Sequence, residues 1–125
     1  MNPCMTSAAK SVFAFGLYLV VVGLGLLVAP NPFLAPFGFP PVADPSWLRV
    51  LGVLTFVIAA YYLLAARAGL MAFFRWTVFV RIGVFFAMGT LVLLHLAPPS
   101  LALLGTIDLA AALWTAFALR ASATP

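Results

Sequence analysis

The sequence predicts an all-α integral membrane protein: a bundle of four transmembrane helices in up-down order, with both termini in the cytoplasm. Three observations predict it. Of the 125 residues, 66% are hydrophobic and only 6% charged, where a water-soluble domain carries about 25% charged residues. The apolar residues fall into four runs of bilayer-crossing length, about 20 residues each. None of the ten prolines falls within those runs, as expected of a residue that lacks an amide donor and clashes with the preceding helical turn. Lipid offers no hydrogen bonds to a backbone, so such runs read as helices. The length suits a single domain.

The first run is Ser11–Ala29. Its apolar stretch exceeds the about 7–15 residues of a signal peptide, and Val28-Ala29-Pro30 is a poor cleavage site, so it reads as a retained helix. Gly16 and Gly23 form one line on it, Tyr18 and Gly25 a second. The segment from Pro30 to Pro45 carries Phe33, Leu34, Phe37 and Phe39 and a single charge, Asp44. So apolar a loop is expected to rest at the outer interface or fold over the bundle mouth. Its two readings are a lipid-resting connector and a lid or docking surface.

The second run, Ser46–Ala66, opens after Pro45, which makes Ser46 an N-cap candidate. Gly52, Thr55, Ala59, Tyr62 and Ala66 recur at steps of three and four and share one stripe. The third run, Phe73–His95, presents Thr77, Arg81, Met88 and His95. The fourth, Ser100–Arg120, follows two prolines, with Ser100 as N-cap candidate, and presents Gly105, Asp108, Ala112 and Thr115. Helix contacts in lipid favour small and polar residues, so these stripes are expected to meet inside the bundle. The connections 66–72 and 96–100 are short, which predicts that the second, third and fourth helices form an antiparallel array. The ends, Met1–Ala9 and Ala121–Pro125, are expected to be mobile.

Lys10, Arg67, Arg75 and Arg120 fall on one side of this topology, while the other side holds only Arg49 with Asp44 nearby. The positive-inside rule then places both termini and the second connection in the cytoplasm. Trp47 and Trp76, at opposite membrane faces, fit an aromatic belt. The net charge of +4 is spread singly near helix ends, without the basic stripe that nucleic acid requires.

Arg81 and Asp108 are the two charges well inside the runs. An unpaired charge at mid-membrane costs at least about 2.5–3.5 kcal/mol. Their depths differ by about 7–8 Å at about 1.5 Å per residue, so a direct or water-bridged pair is expected, supported by Thr55, Tyr62 or Thr115. Two roles stand open for it: fixing helix register, or a transport, proton or ligand pathway. His95, Arg49, Asp44 and Phe37 are outer-side candidates, with His95 read as an interfacial residue. The single cysteine, Cys4, reads as incidental.

No enzyme is legible. The chain has no glutamate, its two aspartates lie at different depths, and no phosphate-binding loop is present. One histidine and one cysteine make no metal site within a chain. No catalytic residue and no cofactor is expected, with quinone or lipid as the conceivable ligands.

A set of motifs gives the chain a family likeness. They are Gly16 to Gly25 ending in Ala29-Pro30-Asn31, then Phe37-Gly38-Phe39-Pro40, and Trp47-Leu48-Arg49-Val50-Leu51-Gly52. Tyr61-Tyr62, Arg75-Trp76, Arg81 and Gly105-Thr106-Ile107-Asp108 complete it. In these the chain resembles small four-helix bacterial membrane proteins of the broad DoxX-like type. The resemblance implies a four-helix bundle and, in some members, links to quinone or sulfur redox chemistry. No motif here carries that chemistry, so only the fold is expected to transfer.

The leading functional expectation is a non-enzymatic inner-membrane protein, either an accessory subunit of a membrane complex or homo-oligomer, or a binder of lipid or another hydrophobic molecule. A quinone-linked redox component is the first alternative. A small-solute or proton transporter acting as an oligomer is the second.

Overall fold

The computed structural model describes residues 5–123, the side chains as far as residue 121. It is all-helical: α1 (Ser7–Val28), α2 (Pro30–Leu34) with a 3-10 turn (Ala35–Phe37), α3 (Ser46–Ala68), α4 (Met71–Leu93) and α5 (Ser100–Ala123). The four long helices are each long and apolar enough to cross a membrane. The lone cysteine, Cys4, lies outside the described residues.

Helix α1 starts a turn earlier than the apolar run suggested. Thr6 caps it, its hydroxyl accepting from the Ala9 amide at 3.1 Å. Ala8 and Ala9 are buried, so this part of the expected mobile end belongs to the core. Likewise α5 continues through Ala123. At Ala29 the helix stops because Pro30 cannot donate. Ala29 turns extended (φ −145°) and Pro30 becomes the first residue of α2, the helical position proline suits best.

The serine caps did not form. Ser46 is already helical, with Pro45 at the cap. Asp44 takes over instead, its carboxylate accepting from the Ser46 amide at 3.1 Å and the Ser46 hydroxyl at 2.6 Å. Ser100 is also helical, and its hydroxyl is buried without a hydrogen-bond partner.

Helices α3 and α4 both end in left-handed turns. Gly69 (φ 67°) follows α3, with Leu70 N–H donating to Ala65 and Gly69 N–H to Ala66. His95 does the same work after α4 at φ 58°, with Leu96 N–H donating to Leu91 and His95 N–H to Val92. This two-bond closure satisfies orphan helix carbonyls and normally uses glycine. It ends α4 at Leu93 and turns His95 out of the Arg81 stripe onto the exposed surface.

The strongest pairings are α1 with α3 and α4 with α5, and α1 also packs on α5. The expected close α3–α4 pairing is the weak seam, although their connection is short. Close approach follows the small residues. A Cβ on Gly52 would lie 3.0 Å from the Gly23 carbonyl oxygen, and one on Gly23 would lie 3.2 Å from the Gly52 oxygen. The α3–α4 seam instead holds the ring of Tyr62 edge-on to Phe73 (5.3 Å), which keeps those backbones apart.

Burial is lopsided along the bundle. The end where α1 begins and α5 ends, here the terminal end, holds Ala8, Val12, Phe15, Tyr62, Ala66, Phe74 and Ala118 in one packed cluster. At the opposite, loop end, few large side chains are buried. The exterior is largely apolar, with Val21, Val53, Phe79, Phe86 and Phe117 among its exposed residues and Trp47 and Trp76 exposed near the starts of α3 and α4.

Candidate functional site

Arg81 is the largest fully buried side chain, 2% exposed. It sits where all four long helices meet. Its Nη2 donates to the Thr115 hydroxyl at 2.9 Å and its Nε to the Thr77 carbonyl at 3.3 Å. The guanidinium lies 4.8 Å from the Phe15 ring centre and 5.7 Å from that of Tyr62, within cation–π range. Thr115 also meets the Ser11 hydroxyl at 2.7 Å, and Ser11 reaches the Ala8 carbonyl at 2.7 Å. The Tyr62 hydroxyl hydrogen-bonds to that of Thr77. Nη1 has no partner.

No ion pair within 4 Å joins Arg81 to Asp108. The reason is helix geometry. Side chains tilt toward the N-terminus of their own helix. On α4 that sends Arg81 toward the terminal end; on antiparallel α5 it sends Asp108 toward the loop end. The tilt widens their axial gap, and Thr115, two turns beyond Asp108 on the same face, receives the guanidinium instead.

Asp108 faces a cavity of about 460 Å³ in the loop-end half. Its walls are Tyr18, Leu19, Val22 and Leu26 from α1, Leu48 and Thr55 from α3, Met88 from α4 and Leu104 and Ile107 from α5. Phe33, Leu34, Phe37 and Phe39 line it from the loop. Among these residues only Asp108 and Tyr18 are ionisable. Neither hydrogen-bonds to a described residue. Thr55 spends its proton on the Leu51 carbonyl of its own helix at 2.8 Å, so it serves the cavity and not Arg81.

The loop is pinned in three places. The Asn31 side-chain amide donates to the Val42 carbonyl at 2.8 Å, and its oxygen accepts from the Val42 amide at 3.0 Å. The Phe33 ring packs against Gly25, where an added Cβ would lie 2.2 Å from its nearest ring atom. Arg49 Nε donates to the Leu27 carbonyl at 3.2 Å, occupying an orphan acceptor at the end of α1 where a cation is favoured. Arg49 is thus an anchor for the turn into the loop.

The Asp44 carboxyl is held below its ordinary value of 3.8 by the Ser46 hydroxyl, then the Ser46 amide, with Arg49 nearby. A carboxyl lowered in the folded state adds stability above its ordinary value and loses it as pH falls through the folded one. The first turn of α3 is therefore expected to lose amide protection as pH drops below that range, and Asp44→Asn to remove the dependence. Hydrogen exchange at residues 46–50 across acidic pH checks both.

Of the residues singled out by sequence, the structure brings Arg81, Tyr62 and Thr115 together. It places Asp108, Thr55 and Phe37 on the cavity, Arg49 on a loop anchor, Asp44 at the start of α3, and His95 outside. Ser11, Phe15 and Asn31 escaped the sequence reading. Among the described residues no group of three or more metal-ligating side chains exists. Comparison with protein-family models, with characterised proteins and with solved structures finds no match.

Proposed function

We propose that this chain is a multi-pass protein of the cytoplasmic membrane, both termini inside, that binds a hydrophobic small molecule in the cavity beneath its phenylalanine-rich loop. The cavity carries this reading. Its volume falls in the range of small-molecule sites, about 300–1,000 Å³, and it has their usual makeup of apolar walls with a few polar groups. Close packing alone accounts for the terminal end, where Arg81 and its hydroxyls lock four helices in register. It does not account for the loop end, where the same helices leave space and a clasped loop covers it. Val21 and Leu51 line the cavity and are also exposed on the bundle exterior, which gives a bilayer-dissolved molecule a lateral route. The volume suits one acyl chain or a ring with a short tail better than a whole two-chain phospholipid. The DoxX-like resemblance adds only the bundle fold.

Leu104→Trp fills the cavity from α5 without touching the terminal-end core. Native mass spectrometry of protein purified in mild detergent is expected to show a bound species of discrete mass on the wild type. Leu104→Trp, with an unchanged helical circular-dichroism spectrum, is expected to lose it. The mass also separates a quinone from a lipid. Equal occupancy in both proteins would refute the reading.

A further inference from the structure

Resting on that reading, we propose that the cavity selects a lipophilic cation: an apolar body carrying one amine whose N–H groups are received by Asp108. Asp108 is the only carboxyl group on the cavity wall, and it accepts no hydrogen bond and makes no ion pair within 4 Å with any described residue. Asp108 is half-buried among apolar side chains; a carboxylate held against hydrocarbon is costly unless something donates to it, and here the protein leaves that place open toward the cavity.

The groups around Asp108 decide what can fill the place. From α1 it faces Tyr18, a phenol. From α3 come Thr55, whose proton is committed to Leu51, and, deeper, Tyr62, committed to Thr77. From α4 the one charge is Arg81, close enough for its field to reach Asp108. Its hydrogen bonds, though, run to Thr77 and Thr115 and its charge lies against the rings of Phe15 and Tyr62. Arg81 does not line the cavity. The loop contributes only apolar side chains to it.

The wider charge distribution points the same way. Lys10, Arg67, Arg75 and Arg120 lie toward the terminal end, whereas the loop end carries one arginine, Arg49, and one aspartate, Asp44. A cation entering at the loop end therefore meets no net positive field before reaching a carboxylate. An anionic amphiphile would meet that carboxylate with no cation on the cavity wall to receive it. The aromatic faces of Phe33, Phe37 and Tyr18 suit a cation as well as an apolar body.

The test uses full-length protein in detergent and two probes of one shape, naphthylmethylamine and naphthylmethanol, read by naphthalene fluorescence polarisation. The amine is expected to bind about tenfold more tightly than the alcohol, a difference of about 1.4 kcal/mol. Asp108→Asn is expected to bring the two to one affinity, Asp44→Asn to leave the preference intact, and Leu104→Trp to abolish binding of both. Equal binding of the two probes to the wild type would overturn the cation class while leaving the cavity reading standing. Binding of neither would overturn both. The wild-type pair decides the matter even if Asp108→Asn fails to fold. A preference that survives Asp108→Asn, or disappears in Asp44→Asn, would assign the attraction to another charge and overturn the proposal.

Discussion

Arg81→Met is expected to fold at least as stably as the parent chain, whereas Arg81→Ala is expected to lose about 2–5 kcal/mol relative to Arg81→Met. The contrast follows from how the guanidinium is held. It is fully buried with no carboxylate of a described residue within 4 Å, and one of its nitrogens has no hydrogen-bond partner among the described residues. Its compensation comes from one hydroxyl, one backbone carbonyl and two ring faces. Replacing a buried charge by an apolar side chain of similar volume is often neutral or stabilising. Methionine keeps the volume, and its thioether suits the rings of Phe15 and Tyr62. The polar groups left behind still satisfy each other, Ser11 with Thr115 and Tyr62 with Thr77. Alanine leaves a void between four helices. Unfolding by graded denaturant in detergent micelles measures both. A methionine variant as damaged as the alanine one would mean that the charge itself is required, and that the register role does not exhaust what Arg81 does.

The second large effect belongs to the α1–α3 crossing. Gly52→Val is expected to cost about 3 kcal/mol, with loss of the α1–α3 contact. A Cβ at Gly52 meets the Gly23 carbonyl oxygen at 3.0 Å, Leu26 Cβ at 3.1 Å and Leu27 Cγ at 3.1 Å. A backbone oxygen cannot rotate aside, so the helices must separate, and separation there also widens the cavity roof at Leu26 and Leu48. Gly16 provides the contrast. Its added Cβ would press first on Leu63 Cδ2, the tip of a flexible side chain, so Gly16→Ala is expected to cost about 1 kcal/mol. Gly83 meets nothing within 4 Å, and Gly83→Ala is expected to gain about 0.5–1 kcal/mol from helix propensity alone. Thermal unfolding of the three variants in one detergent ranks them. A Gly52→Val protein as stable as Gly83→Ala would contradict the close crossing.

Much of this was legible in the residues. Four long helices follow from apolar runs of bilayer-crossing length, separated by proline-containing segments at 30–45 and 98–99 and by Arg67 and Gly69 between the second and third. The inward stripes, read from small and polar residues at steps of three and four, hold Gly23, Gly52, Tyr62, Thr77, Arg81 and Thr115, but which of them meet came only with the structure. The cap at Ser46 misled because the cap of α3 falls one residue earlier, on Pro45, and Asp44 accepts from both the amide and the hydroxyl of Ser46, so the serine oxygen is engaged there. Ser11 escaped because a serine at the edge of an apolar run looks like a helix start, and here it lies a turn inside α1. The direction of Arg81 escaped because residue depth was counted along the axis alone. The N-terminal tilt of side chains on antiparallel helices moves Arg81 and Asp108 apart. The cavity was beyond reach for a different reason: empty space depends on how far four helices splay, and no residue type encodes that distance.

The bundle has its tightly packed core around Val12, Phe74 and Thr115 toward the terminal end and its large cavity in the loop-end half. Photolabelling with a small uncharged aryl diazirine, mapped by peptide mass spectrometry on detergent-solubilised protein, tests this most directly. Adducts are expected on Tyr18, Met88, Ile107 and Asp108 in addition to the exposed Phe79, Phe86 and Phe117, and to leave Val12, Phe74 and Thr115 unmodified. Labelling confined to the exterior phenylalanines, with the cavity residues as protected as Phe74, would contradict it.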